Sequence, residues 1–82
     1  MKILQKYFND RNIVEEGCDA LKNLAVDAET NSEFGNAGIC PLLMEILQKH
    51  LDDRDVIYTG CRALCNLAEN AENKSEFRRV NI

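Results

Sequence analysis

Apolar residues recur along this chain at steps of three and four, the spacing that lines one face of an α-helix. Ile3, Leu4, Tyr7 and Phe8 set that spacing over residues 1–8. Asn9-Asp10 then supplies side-chain oxygens suited to a helix N-terminus. The pattern resumes as Ile13, Val14, Gly17, Cys18, Leu21, Leu24, Ala25 and Ala28. Glu15, Glu16, Asp19 and Lys22 fill the opposite face, so a long amphipathic helix is predicted over 10–28. Thr30-Asn31-Ser32-Glu33 has capping-box form and predicts a short helix with Phe34 and Ala37, stopped by Gly38. Pro41 suits the first turn of a helix over 39–51, expected to bury Ile39, Leu42, Leu43, Ile46, Leu47 and Leu51. Asp52-Asp53 predicts the cap of a second long helix carrying Val56, Ile57, Gly60, Cys61, Leu64, Leu67, Ala68 and Ala71. Asn73-Lys74-Ser75-Glu76 predicts a last short helix with Phe77 and Val80. No stretch alternates with period two over a useful length, so no sheet is expected.

The pattern is one unit written twice. The nine residues from Gly17 to Ala25 are matched by those from Gly60 to Ala68, an offset of 43. Met1-Lys2-Ile3-Leu4-Gln5-Lys6 matches Met44-Glu45-Ile46-Leu47-Gln48-Lys49, and Ser32-Glu33-Phe34 matches Ser75-Glu76-Phe77. No gap is needed, and about half of the paired positions are identical. A period of this size marks a helical solenoid. Gly17 sits inside an apolar stripe, where glycine costs up to ~1 kcal/mol of helix propensity. Its recurrence as Gly60 predicts a neighbouring helix in close approach.

A short helix, a glycine, a helix opened near proline, and a long helix ending in Ala-Leu-x-Asn-Leu-Ala resemble the armadillo repeat. The resemblance covers essentially the whole chain. It is most specific at residues 36–43, at 20–25 and at 63–68. It implies an all-α fold: an α-solenoid, an armadillo-like right-handed superhelix of about two repeats. The chain would start in a truncated second helix and end after a first helix. Residues 1–82 would form one unit, with 1–38 the first, partial repeat and its lead-in helix. Residues 39–82 would hold the second repeat and the start of a third. In this family the third helices line a groove for extended peptides, and their Asn side chains bond the peptide backbone. Asn23 and Asn66 stand at those positions. Helical spacing extends them to ridges of Asp19, Asn23 and Asp27, and of Arg62, Asn66 and Asn70. The chain departs from the family's nuclear-import receptors, whose Trp is replaced here by Asp19 and Arg62.

Composition narrows the partners. The net charge of −4 argues against nucleic acid or an anionic membrane as main partner. No apolar run approaches the ~20 residues that span a bilayer, and the N-terminus lacks a signal-peptide core. Four cysteines invite a disulfide reading, but Cys18 and Cys61 would lie on stacked helices ~8–10 Å apart. A bridge needs Cα atoms within about 7 Å. Free thiols fit a reducing compartment, the cytoplasm first and the nucleus as the alternative. Cys61 and Cys65 lack two further zinc ligands, and His50 lies on another helix. Asp52, Asp53 and Asp55 lack the spacing of a calcium loop. No metal, cofactor or catalytic residue is expected, and the chain does not read as an enzyme.

The ends then carry the functional expectation. About three repeats are usually needed to bury a solenoid core, and arrays end in polar caps. Ile3, Leu4 and Phe8 are expected to be open at one end, and Leu64, Leu67, Phe77 and Ile82 at the other. The expected function is a non-catalytic protein–protein interaction scaffold, cut from a longer array or designed after one. It would self-associate through its uncapped ends as a homo-oligomer, a dimer foremost. End-to-tail stacking and a two-fold dimer both fit. The alternative is a module that binds extended peptide segments of other proteins in the third-helix groove.

Overall fold

The computed structural model describes residues 2–79, and these are all-helical. Six helices follow in order: α1 Lys2–Lys6, α2 Arg11–Leu24, α3 Ala28–Asn36, α4 Ile39–Lys49, α5 Arg54–Leu67 and α6 Ala71–Arg79. There are no strands among the described residues. The expected Val80 and Ile82 lie outside them.

Local chemistry sets the boundaries. Asp10 caps α2, its carboxylate accepting from the Asn12 and Ile13 N–H groups. Asp53 does the same for α5 at the Val56 N–H. Gly38 has φ 80°, the left-handed geometry that releases the chain between α3 and α4. Pro41 falls in the first turn of α4, as expected.

Several boundaries differ from expectation: α1 ends at Lys6 and α4 at Lys49, each two residues early. The long helices stop at Leu24 and Leu67, short of Ala28 and Ala71. Asp27 accepts from the Thr30 N–H at 2.9 Å and the Thr30 hydroxyl at 2.8 Å, so α3 begins at Ala28. Asn70 accepts from the Glu72 and Asn73 N–H groups in the same way. The caps are therefore Asp27 and Asn70, while Thr30 and Asn73 sit inside the short helices. The apolar spacing does run on through both alanines. A side-chain acceptor for free N–H groups outweighs one more alanine in the pattern.

One apolar cluster runs through the molecule, built from Val14, Cys18 and Leu21 of α2, the buried face of α4, and Val56, Ala63 and Leu67 of α5. The α2–α5 pairing is the most extensive helix contact. Leu51, expected inside, is 71% exposed because it follows the end of α4.

Candidate functional site

Each long helix carries two adjacent apolar stripes rather than one. A leading stripe in α2 holds Ile13, Gly17, Ala20 and Leu24, repeated in α5 as Val56, Gly60, Ala63 and Leu67. A trailing stripe in α2 holds Val14, Cys18, Leu21 and Ala25, repeated in α5 as Ile57, Cys61, Leu64 and Ala68. The trailing stripe of α2 and the leading stripe of α5 are both buried. They meet where the Cys18 Sγ lies 3.9 Å from the point a Cβ on Gly60 would occupy.

The other two stripes are open in part: Ala20, Leu24 and Cys61 are exposed, while Ile13, Gly17, Ile57, Leu64 and Ala68 are half-buried. Leu24 is 50% exposed while its repeat mate Leu67 is 0% exposed. Ala20 is exposed and Ala63 buried, and Cys61 is exposed while Cys18 is buried. The residue types within each pair are the same, so stacking alone creates the difference. Burial pushes the Cys18 and Cys40 thiols up to about 11.

Polar contacts across the repeat junction keep one register. Arg11 Nε and Nη2 donate to the two Asp53 carboxylate oxygens at 2.6 and 3.0 Å. This bidentate pair holds the Asp53 carboxyl down at about 2 and raises the Arg11 guanidinium. The His50 Nε2 lies 2.8 Å from the Phe8 carbonyl, which only accepts, so Nε2 carries the proton. Asn73 Nδ2 donates to Asn31 Oδ1 at 2.6 Å. Each of these pairs is separated by 42 residues, one less than the repeat.

Asparagines also close the helix ends. Asn31 Nδ2 donates to the Ala25 carbonyl at 3.0 Å and the Asn66 carbonyl at 2.9 Å. Asn73 Nδ2 reaches the Leu67 carbonyl at 3.1 Å. These carbonyls lie at the ends of α2 and α5, where intrahelical donors run out, and those of Asn66 and Leu67 also accept from the Glu69 and Asn70 N–H groups at 3.3 and 3.2 Å. Among the described residues, no buried side-chain nitrogen or oxygen lacks a hydrogen bond. Sequence spacing marks Asn73 as a helix cap and Asn31 as part of a capping box, and neither as a buried side chain. The signal was a polar residue in place of an apolar one at the first turn of each short helix.

The expected groove residues fall into two kinds. Asp19, Asn23, Arg62 and Asn66 lie on the long helices. Asp19 is paired with Lys22 at 2.9 Å, and Arg62 lies over the Tyr58 ring at 5.9 Å. Asn66 is half-buried, its Nδ2 donating to the Lys22 carbonyl at 2.7 Å, whereas Asn23 is exposed. Asp27 and Asn70 do not continue these ridges, because both long helices end before them and both residues cap short helices.

The expected end residues also divide. Ile3 is 61% exposed, and Phe8 and Leu64 are half-buried. Leu4, Leu67 and Phe77 are instead buried, at 0%, 0% and 2% exposure. Leu4 rests on Gly17, Leu67 belongs to the stripe facing α2, and Phe77 joins the common core. Ile82 lies outside the described residues. The open apolar surface is therefore centred on Ala20 and Leu24 at one end and on Cys61 at the other, flanked by half-buried Ile13, Ile57, Leu64 and Ala68, while Gly17 lies under Leu4.

An open cleft of about 460 Å³ is lined by Lys49, His50, Asp52, Asp53, Arg54 and Asp55. Its carboxylate Asp53 is already held by Arg11 and the α5 N-terminus. No group of three or more metal-ligating side chains occurs among the described residues, and no helix there is long and apolar enough to cross a membrane. No family model matches this chain, nor does any curated protein or solved structure.

Proposed function

We propose that the chain is a non-catalytic protein–protein interaction scaffold: two armadillo-type repeats wound as a right-handed α-solenoid, associating through their open ends. The carrying observation is the opposite burial of identical residues, Leu24 against Leu67 and Cys61 against Cys18. A stripe that is fully buried in one repeat is only partly covered in the other. Contiguous apolar stripes in water mark association surfaces. The four unpaired thiols fit a reducing compartment, the cytoplasm foremost.

Binding of an extended peptide to the long-helix face is the weaker reading. Tyr58 lies there with Arg54 and Arg62 at 5.8 and 5.9 Å from its ring, which would suit an acidic or aromatic segment. Against it, Asn66 and Asp19 already have partners within the chain.

Association of this kind couples to stability, since a partner that binds only the folded state raises the unfolding midpoint. The urea midpoint should rise with protein concentration over about a hundredfold range. A midpoint independent of concentration would overturn the self-associating scaffold. Saturable binding of extended peptides by the folded chain would then make the groove its function.

A further inference from the structure

The two open stripes are the repeat equivalents of the two that already pack on each other. The leading stripe of α2 corresponds to the leading stripe of α5, which lies on α2. The trailing stripe of α5 corresponds to the trailing stripe of α2, which lies on α5. The molecule thus contains a worked example of the contact that its ends could make.

We propose that the occupant of each open stripe is a second copy of this chain, stacked head to tail. The leading stripe of α2 in one copy lies on the trailing stripe of α5 in the next. This rests on the scaffold reading above and adds to it the partner and the register.

The charges at the ends agree with that register. Inside the molecule, Arg11 closes the junction by gripping Asp53, the cap of the next long helix. Its repeat mate Arg54 has a side chain 85% exposed, with Asp55 at 3.8 Å and the Tyr58 ring at 5.8 Å. The repeat mate of Asp53 is Asp10, which caps α2 and has no arginine. Head-to-tail stacking brings Arg54 of one copy to Asp10 of the next. Two-fold pairing of either stripe on itself leaves these groups at opposite ends. The short helices cannot repeat their contact unchanged, because Lys74 and Arg78 of α6 stand where α3 has buried Asn31 and half-buried Gly35, so the long helices carry the stack.

The extent of the contact sets its strength. Helices of 14 residues are about 21 Å long. One helix face of that length lies at the small end of specific interfaces, so the contact is a weak one that grows with concentration.

Cys61 reports on the contact directly. In the stack it takes the place that Cys18 holds against Gly60 and becomes covered, while Cys65, the mate of half-buried Lys22, is covered only in part. The experiment labels the native thiols with a maleimide at low and high protein concentration, with sedimentation velocity alongside. Cys61 should label about tenfold more slowly when concentrated, and Cys65 should slow much less. Ala20→Arg, a substitution at an exposed helical site on the opposite end, should restore Cys61 labelling. Only a head-to-tail contact links those two positions. Arg54→Asp should weaken association about tenfold without touching the core. A growing mass with Cys61 still protected in Ala20→Arg would overturn the head-to-tail register and leave self-association standing. A growing mass without Cys61 protection would do the same. A sedimenting monomer at every concentration would overturn both.

Discussion

Leu47 lies over Gly60 so closely that a Cβ on the glycine would stand 2.6 Å from the Leu47 Cδ2. Leu4 meets Gly17 in the same way one repeat earlier. Glycine is therefore the seat on which each preceding helix rests.

Gly60→Ala sets a helix-propensity gain of up to ~1 kcal/mol against an overpacking cost of about 1–3 kcal/mol. Leu47 must turn its Cδ2 away from the seat it holds on Gly60, giving up that contact, so the overlap should win. The expected outcome is a net loss of about 1 kcal/mol in urea unfolding. In a Leu47→Ala background the overlap is gone, and Gly60→Ala should become stabilising. A stabilising effect in the native background would show that the contact does not constrain the helix pair.

Asn73 is 2% exposed and ties α6 to both α3 and α5. Asn73→Ala leaves the Asn31 side-chain oxygen without its donor, while the Leu67 carbonyl keeps the Asn70 N–H at 3.2 Å. Leaving one buried acceptor unpaired costs about 1–3 kcal/mol, and a drop of that size is expected. In a domain with ~5–15 kcal/mol in hand, that is a shift easily seen by chemical denaturation. A loss below about 0.5 kcal/mol would mean that water replaces the network.

The Arg11–Asp53 pair predicts acid sensitivity with a definite sign. Arg11 holds the folded Asp53 carboxyl at about 2, below its ordinary 3.8. A depressed folded value means that the contribution is present above the unfolded pKa and is lost as pH falls toward 2. Asp53→Asn keeps a good helix cap while removing the charge. Its melting temperature should lie below that of the native chain at neutral pH. The gap should close between about pH 4 and pH 2. A gap that persists unchanged at the acid end would assign the effect to the cap rather than to the ion pair.

The thiols should divide by burial. In dilute folded protein, Cys61 and Cys65 are exposed and should react with a maleimide, while Cys18 and Cys40 should stay silent until unfolding. Burial adds to this protection by holding the two inner thiols in their protonated form at neutral pH. Peptide mapping by mass spectrometry reads all four at once. Early labelling of Cys18 would mean that α2 and α5 separate in the folded state.

Much of the fold was legible because helical spacing, Asp10, Asp53, Gly38 and Pro41 each act locally. The 42-residue contact register was not, because it depends on how one helix turns against its neighbour. Reading Ile13, Val14, Gly17, Cys18, Leu21, Leu24 and Ala25 as a single stripe hid that they face two ways. The adjacent pairs Ile13-Val14, Gly17-Cys18, Ala20-Leu21 and Leu24-Ala25 were the available clue, since two neighbouring apolar positions per turn make a stripe too wide for one partner. The same oversight placed Leu67 at an open end, although its mate Leu24 is the exposed one. Asp27 and Asn70 looked like groove residues because spacing counts straight through a helix end. Their capping role required knowing where the helices stop.

Absolute mass by light scattering over about a hundredfold dilution series tests the central claim most directly. The stacking of open ends predicts a mass that climbs above 9.3 kDa with concentration and returns to it on dilution. A folded, cooperatively melting chain that stays at 9.3 kDa throughout would contradict it.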